Sequence, residues 1–140
     1  MLQIPWRVLS CLIAGTFVFA AGPPMKAGMI TEALRGVAAK ARMDRAKNNL
    51  VTLGCSLAIY KLKAGGYPTT EQGLKALVEK PAVAPIPRQW EQVMGNMLVD
   101  PWGHPYQYRF PSKKDPAKFE ISSNGPDGVA DTADDIRSDG

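Results

Sequence analysis

One apolar stripe constrains this chain more than any other feature. From about Lys26 to Lys63, apolar residues fall at Ile30, Leu34, Val37 and Ala41, then at Ala46, Leu50, Leu53, Leu57 and Tyr60. Within each set, steps of four and three turn the residues to one side of an α-helix. Such a helix is about 57 Å long at 1.5 Å per residue, more than a small domain is wide. A chain of 140 residues allows one modest domain. The second half of the stripe is therefore expected to be core, and the first half to project or lie along something else. The phase slips between Ala41 and Ala46. Cys55 lies near the stripe and reads as a small buried hydrophobe.

Gly65-Gly66 supplies a left-handed C-cap, and Tyr67-Pro68 forbids continuation of the helix. Thr69, with Gln72 three residues on, fits a capping box. A short second helix is expected over Glu71–Glu79, with Leu74, Leu77 and Val78 facing the first. Pro81, Pro85 and Pro87 then make an extended connector. Beyond it the period changes to short strands at Met97–Val99, Tyr106–Phe110 and Lys118–Ser122, parted by the Asp100-Pro101-Trp102-Gly103 turn and the loop Pro111–Pro116. Tyr106, Tyr108 and Phe110 share one strand face, and Phe119 and Ile121 another, so a three-stranded antiparallel sheet can close its apolar side on the helix. The fold class is α+β.

Charge is divided along the chain. Net charge is +4, yet Asp127 to Gly140 holds five carboxylates against one arginine. Lys and Arg elsewhere fall at the spacing of solvated helix faces, as at Arg35, Lys40, Arg42, Arg45 and Lys47, which argues against a nucleic-acid surface. Asp127, Asp131, Asp134 and Asp135 sit in a glycine-containing loop from Ser123 to Ile136 that has turn chemistry and no helix or strand period. Hard oxygens on such a loop suit calcium, which takes six to eight of them. The spacing is not that of an EF-hand. From charge alone, a cation loop and a solvated acidic tail stand side by side. Catalytic chemistry is sparse: the one histidine, His104, lies in a Gly-His-Pro turn and reads as a cover for an aromatic ring. No nucleophile–base set can be assembled without it, so an enzyme is not expected.

Residues 1–20 read as a Sec-type signal peptide or short anchor, with Arg7 before an apolar run over residues 8–21 and a small-residue site at Val18-Phe19-Ala20. Cleavage is expected after Ala20. Left uncleaved, that run is the one expected membrane contact, though it falls short of the ~20 residues a spanning helix needs. The lipobox-like Val8-Leu9-Ser10-Cys11 precedes its apolar run instead of following it, which argues against lipidation. With Cys11 in the leader, Cys55 is a lone thiol and no disulfide scaffold is expected. The expected organisation is a helical spine and short second helix over 21–80, and connector, sheet and acidic loop over 81–140, together one exported domain in the periplasm or anchored to the inner membrane and facing it.

Several blocks carry a resemblance: Met43-Asp44-Arg45-Ala46-Lys47, Tyr60-Lys61-Leu62, Gly66-Tyr67-Pro68-Thr69-Thr70-Glu71-Gln72-Gly73-Leu74, Asp100-Pro101-Trp102-Gly103-His104-Pro105-Tyr106 and Asn124-Gly125-Pro126-Asp127-Gly128. In this order, over about residues 42–136, they resemble the major pseudopilin family of type II secretion, general secretion pathway protein G. The resemblance implies a helical spine packed by a small antiparallel sheet, a calcium ion in the C-terminal loop, and a non-enzymatic filament subunit that drives folded exoproteins across an outer membrane. Its partners would be other pseudopilins, secretion-system components and further copies of itself. The family's calcium carboxylates would fall on Asp127, Asp134 and Asp135, with backbone carbonyls around Ser122 completing the shell, and Asp131 is a further local candidate. Bound calcium would stabilise the fold by ordering that loop.

The N-terminus departs from the family pattern. Gly28-Met29-Ile30-Thr31-Glu32 stands where a Gly-Phe junction and a glutamate one place later would be, and Arg35, Lys40 and Arg42 interrupt the apolar helix. Two functional readings are open: a pseudopilin-like structural component of a type II secretion system, and a soluble exported calcium-binding module of the same fold that does not enter a filament.

Overall fold

The computed structural model describes residues 27–139, so the expected signal peptide and its expected cleavage site lie outside the described residues. Helix α1 runs Ala27–Ala64. Its second half supplies Ala46, Leu50, Leu53, Leu57 and Tyr60 to the core, every one buried. Ile30, Leu34 and Val37, from its first half, are exposed, as expected of a helix longer than its domain. Lys61 and Lys63 lie in the last turn, where cations complement the helix dipole. Gly65, at φ 84°, caps the helix by donating its N–H to the Lys61 carbonyl at 2.9 Å. Cys55 is exposed, contrary to the expectation of burial. It sits two residues from both Leu53 and Leu57, and two residues rotate an α-helix by about 200°, to the face away from the core.

The capping box forms in both directions: Thr69 N–H donates to Gln72 Oε1 at 3.1 Å, and Gln72 N–H donates to Thr69 Oγ1 at 3.2 Å. The second helix itself is shorter than expected. Turns lead into a 3-10 helix over Leu74–Leu77, with Gly73 at φ 61° before it. Leu74, Ala76 and Leu77 are buried against α1. The proline-rich connector is tied down by side chains: Gln72 Nε2 donates to the Val83 and Pro85 carbonyls, and the Trp90 indole N–H to the Ala76 carbonyl at 2.8 Å.

The sheet has three antiparallel strands in the order β1 (Gln107–Arg109), β2 (Glu120–Ser123) and β3 (Ile136–Asp139). Tyr108 faces Ile121 across the first pair, and Ser123 faces Ile136 across the second. The expected strand count holds, but one strand is a different segment. Met97–Val99 makes only an isolated bridge between Val99 and Pro105, because proline has no N–H with which to extend a ladder. The third strand comes instead from the end of the acidic segment. Tyr106, Phe119, Ile121 and Ile136 close the core over α1. Tyr67 packs edge-on against Phe110 and Phe119, with ring centroids 5.2 and 5.1 Å apart. The Tyr108 hydroxyl donates to the Pro68 carbonyl at 2.8 Å, pinning the sheet to the end of the spine. Among the described residues, no helix is long and apolar enough to cross a membrane.

Candidate functional site

The acidic loop is the connection between β2 and β3, residues 124–135, so its order and the pairing of β3 are one problem. Its entry is fixed by Asp100, whose side chain is wholly buried. That carboxylate accepts hydrogen bonds from Ser123 Oγ at 2.7 Å, from His104 N–H at 2.7 Å and from Trp102 N–H at 3.1 Å. An aspartate opening an Asp-Pro-x-Gly turn folds back on its own backbone in this way. Here the same carboxylate also holds the end of β2. Gly125 N–H in turn donates to Ser123 Oγ at 3.2 Å. His104 Nδ1 stands 3.7 Å from Asp100 Oδ2, and the ring lies against Gly128, where a Cβ would sit 2.9 Å from it. The histidine ring therefore lies over the acidic loop at Gly128.

Within the loop the four aspartates form two pairs. Asp127 N–H donates to Asp134 Oδ2 at 3.3 Å, and Asp134 Oδ1 accepts the Thr132 hydroxyl at 2.6 Å. The Thr132 bond is the main reason the Asp134 carboxyl is held below its ordinary value. Gly125, at φ 63°, lies so close that a Cβ would stand 2.5 Å from Asp134 Oδ2, leaving room for no other residue. The second pair is Asp131 and Asp135: Asp131 N–H donates to Asp135 Oδ2 at 2.8 Å. Arg137 on β3 bridges both, 2.7 Å from Asp131 Oδ1 and 2.9 Å from Asp135 Oδ2. Its hydrogen bond is the first cause of the low Asp131 pKa.

Ser122 lies on β2 opposite Arg137. With Asp131, Asp135 and Arg137 it lines an open cavity of about 270 Å³. Asp127 and Asp134 are thus together, Asp131 and Asp135 are together, and Ser122 borders the second pair. Among the described residues, no group of three or more His, Cys, Asp or Glu side chains is gathered as a metal site. Donor chemistry fits a hard cation nonetheless. Asp135 Oδ1 and Asn124 Oδ1 are buried oxygens with no hydrogen-bond partner, and a cation is one group that can satisfy such atoms.

Asp100, Ser123, Asn124 and Arg137 were not singled out by the sequence reading. The Asp-Pro-x-Gly turn was a usable signal for Asp100, and a lone arginine in an acidic segment was one for Arg137.

A long spine half-covered by a three-stranded antiparallel sheet, with an acidic loop closing its last hairpin, is the architecture of pseudopilins. A solved structure, the major pseudopilin from the type 2 secretion system of enterohaemorrhagic Escherichia coli, matches with a TM-score of 0.67 and 43% identity, covering 75% of this chain and 92% of that one. The chain belongs to the type II secretion system protein G family, which matches residues 33–139. Among its relatives are the type II secretion system core protein G of Aeromonas hydrophila, 43% identical over 79% of this chain and 77% of that protein. That of Dickeya chrysanthemi is 42% identical over 79% of this chain and 72% of the relative.

Proposed function

We propose that this chain is a non-enzymatic structural subunit of a type II secretion filament, exported and facing the periplasm, and that calcium held by its C-terminal loop stabilises it. Family membership over residues 33–139 supports the structural role. The observation that carries the calcium reading is the orphaned Asp135 Oδ1 in a loop whose far end is a strand of the sheet. Asp127, Asp134 and Asp135 would hold the ion, with backbone carbonyls near the end of β2. Calcium supplies positive charge to carboxylates that otherwise repel one another, and so favours the ordered loop. The chain's own part is to hold the individual carboxylates: Gly125 admits Asp134, Thr132 orients it, and Asp131 N–H holds Asp135.

The test is thermal unfolding in calcium and in chelator. Asp127→Asn and Asp134→Asn are expected to shrink the calcium-dependent rise in Tm while moving the chelator Tm by no more than about 2 °C. Equal losses in both conditions would refute calcium binding. Asp135 is a poor probe because its removal also strips Arg137 of a partner.

The exposed charges of Arg35, Lys40 and Arg42 on the projecting half of α1 favour a second reading, an exported calcium-binding module of pseudopilin fold outside any filament. Charge on a surface that must be buried between subunits is costly. Filament co-sedimentation separates the two.

A further inference from the structure

We infer that Arg137 is an internal counter-cation of the acidic loop and competes with calcium for the Asp135 carboxylate; this rests on the calcium reading above. Arg137 meets carboxylates from three places: Asp131 in the loop, Asp135 at its end and Glu120 on β2, at 2.7, 2.9 and 3.8 Å. A guanidinium is a planar fork that serves several acceptors at once, which an ammonium cannot do as well. The Asp135 side chain is only 4% exposed, whereas that of Asp131 is 72% exposed. Asp135 is therefore the partner that depends on Arg137, since a buried carboxylate loses far more than an exposed one when its cation is removed.

Asp135 also divides its two oxygens. Oδ2 accepts from both Asp131 N–H and Arg137, while Oδ1 is buried without a partner. A divalent ion drawing on Oδ1 and a guanidinium on Oδ2 of one carboxylate share its charge and repel each other at short range. Lys113 and Arg109 add positive charge on the same side, lining one cavity with Asp131, Asp135 and Arg137. Binding of one cation then weakens the hold of the other, and the coupling is reciprocal. The arginine lies beyond the four loop aspartates in sequence, on β3 itself, so it ties loop closure to strand pairing whether or not a metal takes part. The loop of this chain accordingly relies on calcium less than its four aspartates suggest.

The experiment compares the 140-residue chain with its R137Q and R137K variants, each unfolded thermally in saturating calcium and in chelator, with calcium titrated calorimetrically at a temperature where all are folded. R137Q is expected to lose about 5–10 °C in chelator and less than half of that in calcium. It is also expected to bind calcium about tenfold more tightly than the parent. R137K restores the charge and should fall between the two in both readouts. If R137Q does not fold in chelator, the R137K comparison carries the test, with a greater loss in chelator than in calcium expected. Equal losses in both conditions, or calcium affinity in R137Q no tighter than the parent's, would overturn the competition while leaving calcium binding intact. A parent and R137Q that both give neither heat nor a Tm shift with calcium would overturn the calcium reading and the competition together.

Discussion

Asp100 shows how much a single buried polar side chain can organise. Its carboxylate takes three donors, from Ser123, Trp102 and His104, and so joins the Asp-Pro-Trp-Gly turn to the strand that leads into the acidic loop. Asp100→Ala leaves those donors without an acceptor in a water-poor site. A loss of about 2–4 kcal/mol is expected in urea unfolding, well above the cost of a surface truncation. The turn itself was legible from sequence, because Asp, Pro and Gly each have a distinct reason to be there. The buried bond to Ser123 was not, since it joins residues 23 apart whose proximity depends on the finished sheet. The same holds for the acidic residues. Their composition left a cation loop and a solvated tail equally open, whereas their division into two pairs, one clasped by Arg137, depends on strand register that no local pattern encodes.

Helix α1 was legible almost to the residue because its period and its glycine stop agree. Its two faces differ sharply in what they contribute. Leu57 is fully buried and Leu62 is 85% exposed, five residues further on. Leu57→Ala is expected to cost about 2–5 kcal/mol, through lost burial and the cavity left behind. Leu62→Ala should stay within about 0.5 kcal/mol, and denaturant midpoints of the two variants decide the matter. The strands were legible in number and less so in identity. Gln107–Arg109 and Glu120–Ser123 lie in segments with alternating apolar residues. Ile136–Asp139 offers a single apolar residue in Ile136, and its strand character comes from pairing with β2 over α1. Met97–Val99 had the better local composition but faces a proline, so tertiary context overrode propensity.

For the molecule as a whole, the division seen in the sequence persists in space: a globular unit built on the second half of α1, and a projecting first half with its charges exposed. The globular unit is where the family resemblance rests, and the fold bears it out at 43% identity to a solved major pseudopilin. The projecting half carries Ile30, Leu34 and Val37 beside Arg35, Lys40 and Arg42, a mixture that local pattern could locate but not assign to a neighbour. A structural subunit must engage others through such surfaces, whereas a freestanding module need not. Co-sedimentation with the secretion filament sheared from the native envelope distinguishes them. The chain is expected in the pellet with the filament. A chain that stays soluble and monomeric at every concentration, with or without the filament, would contradict a structural role in secretion.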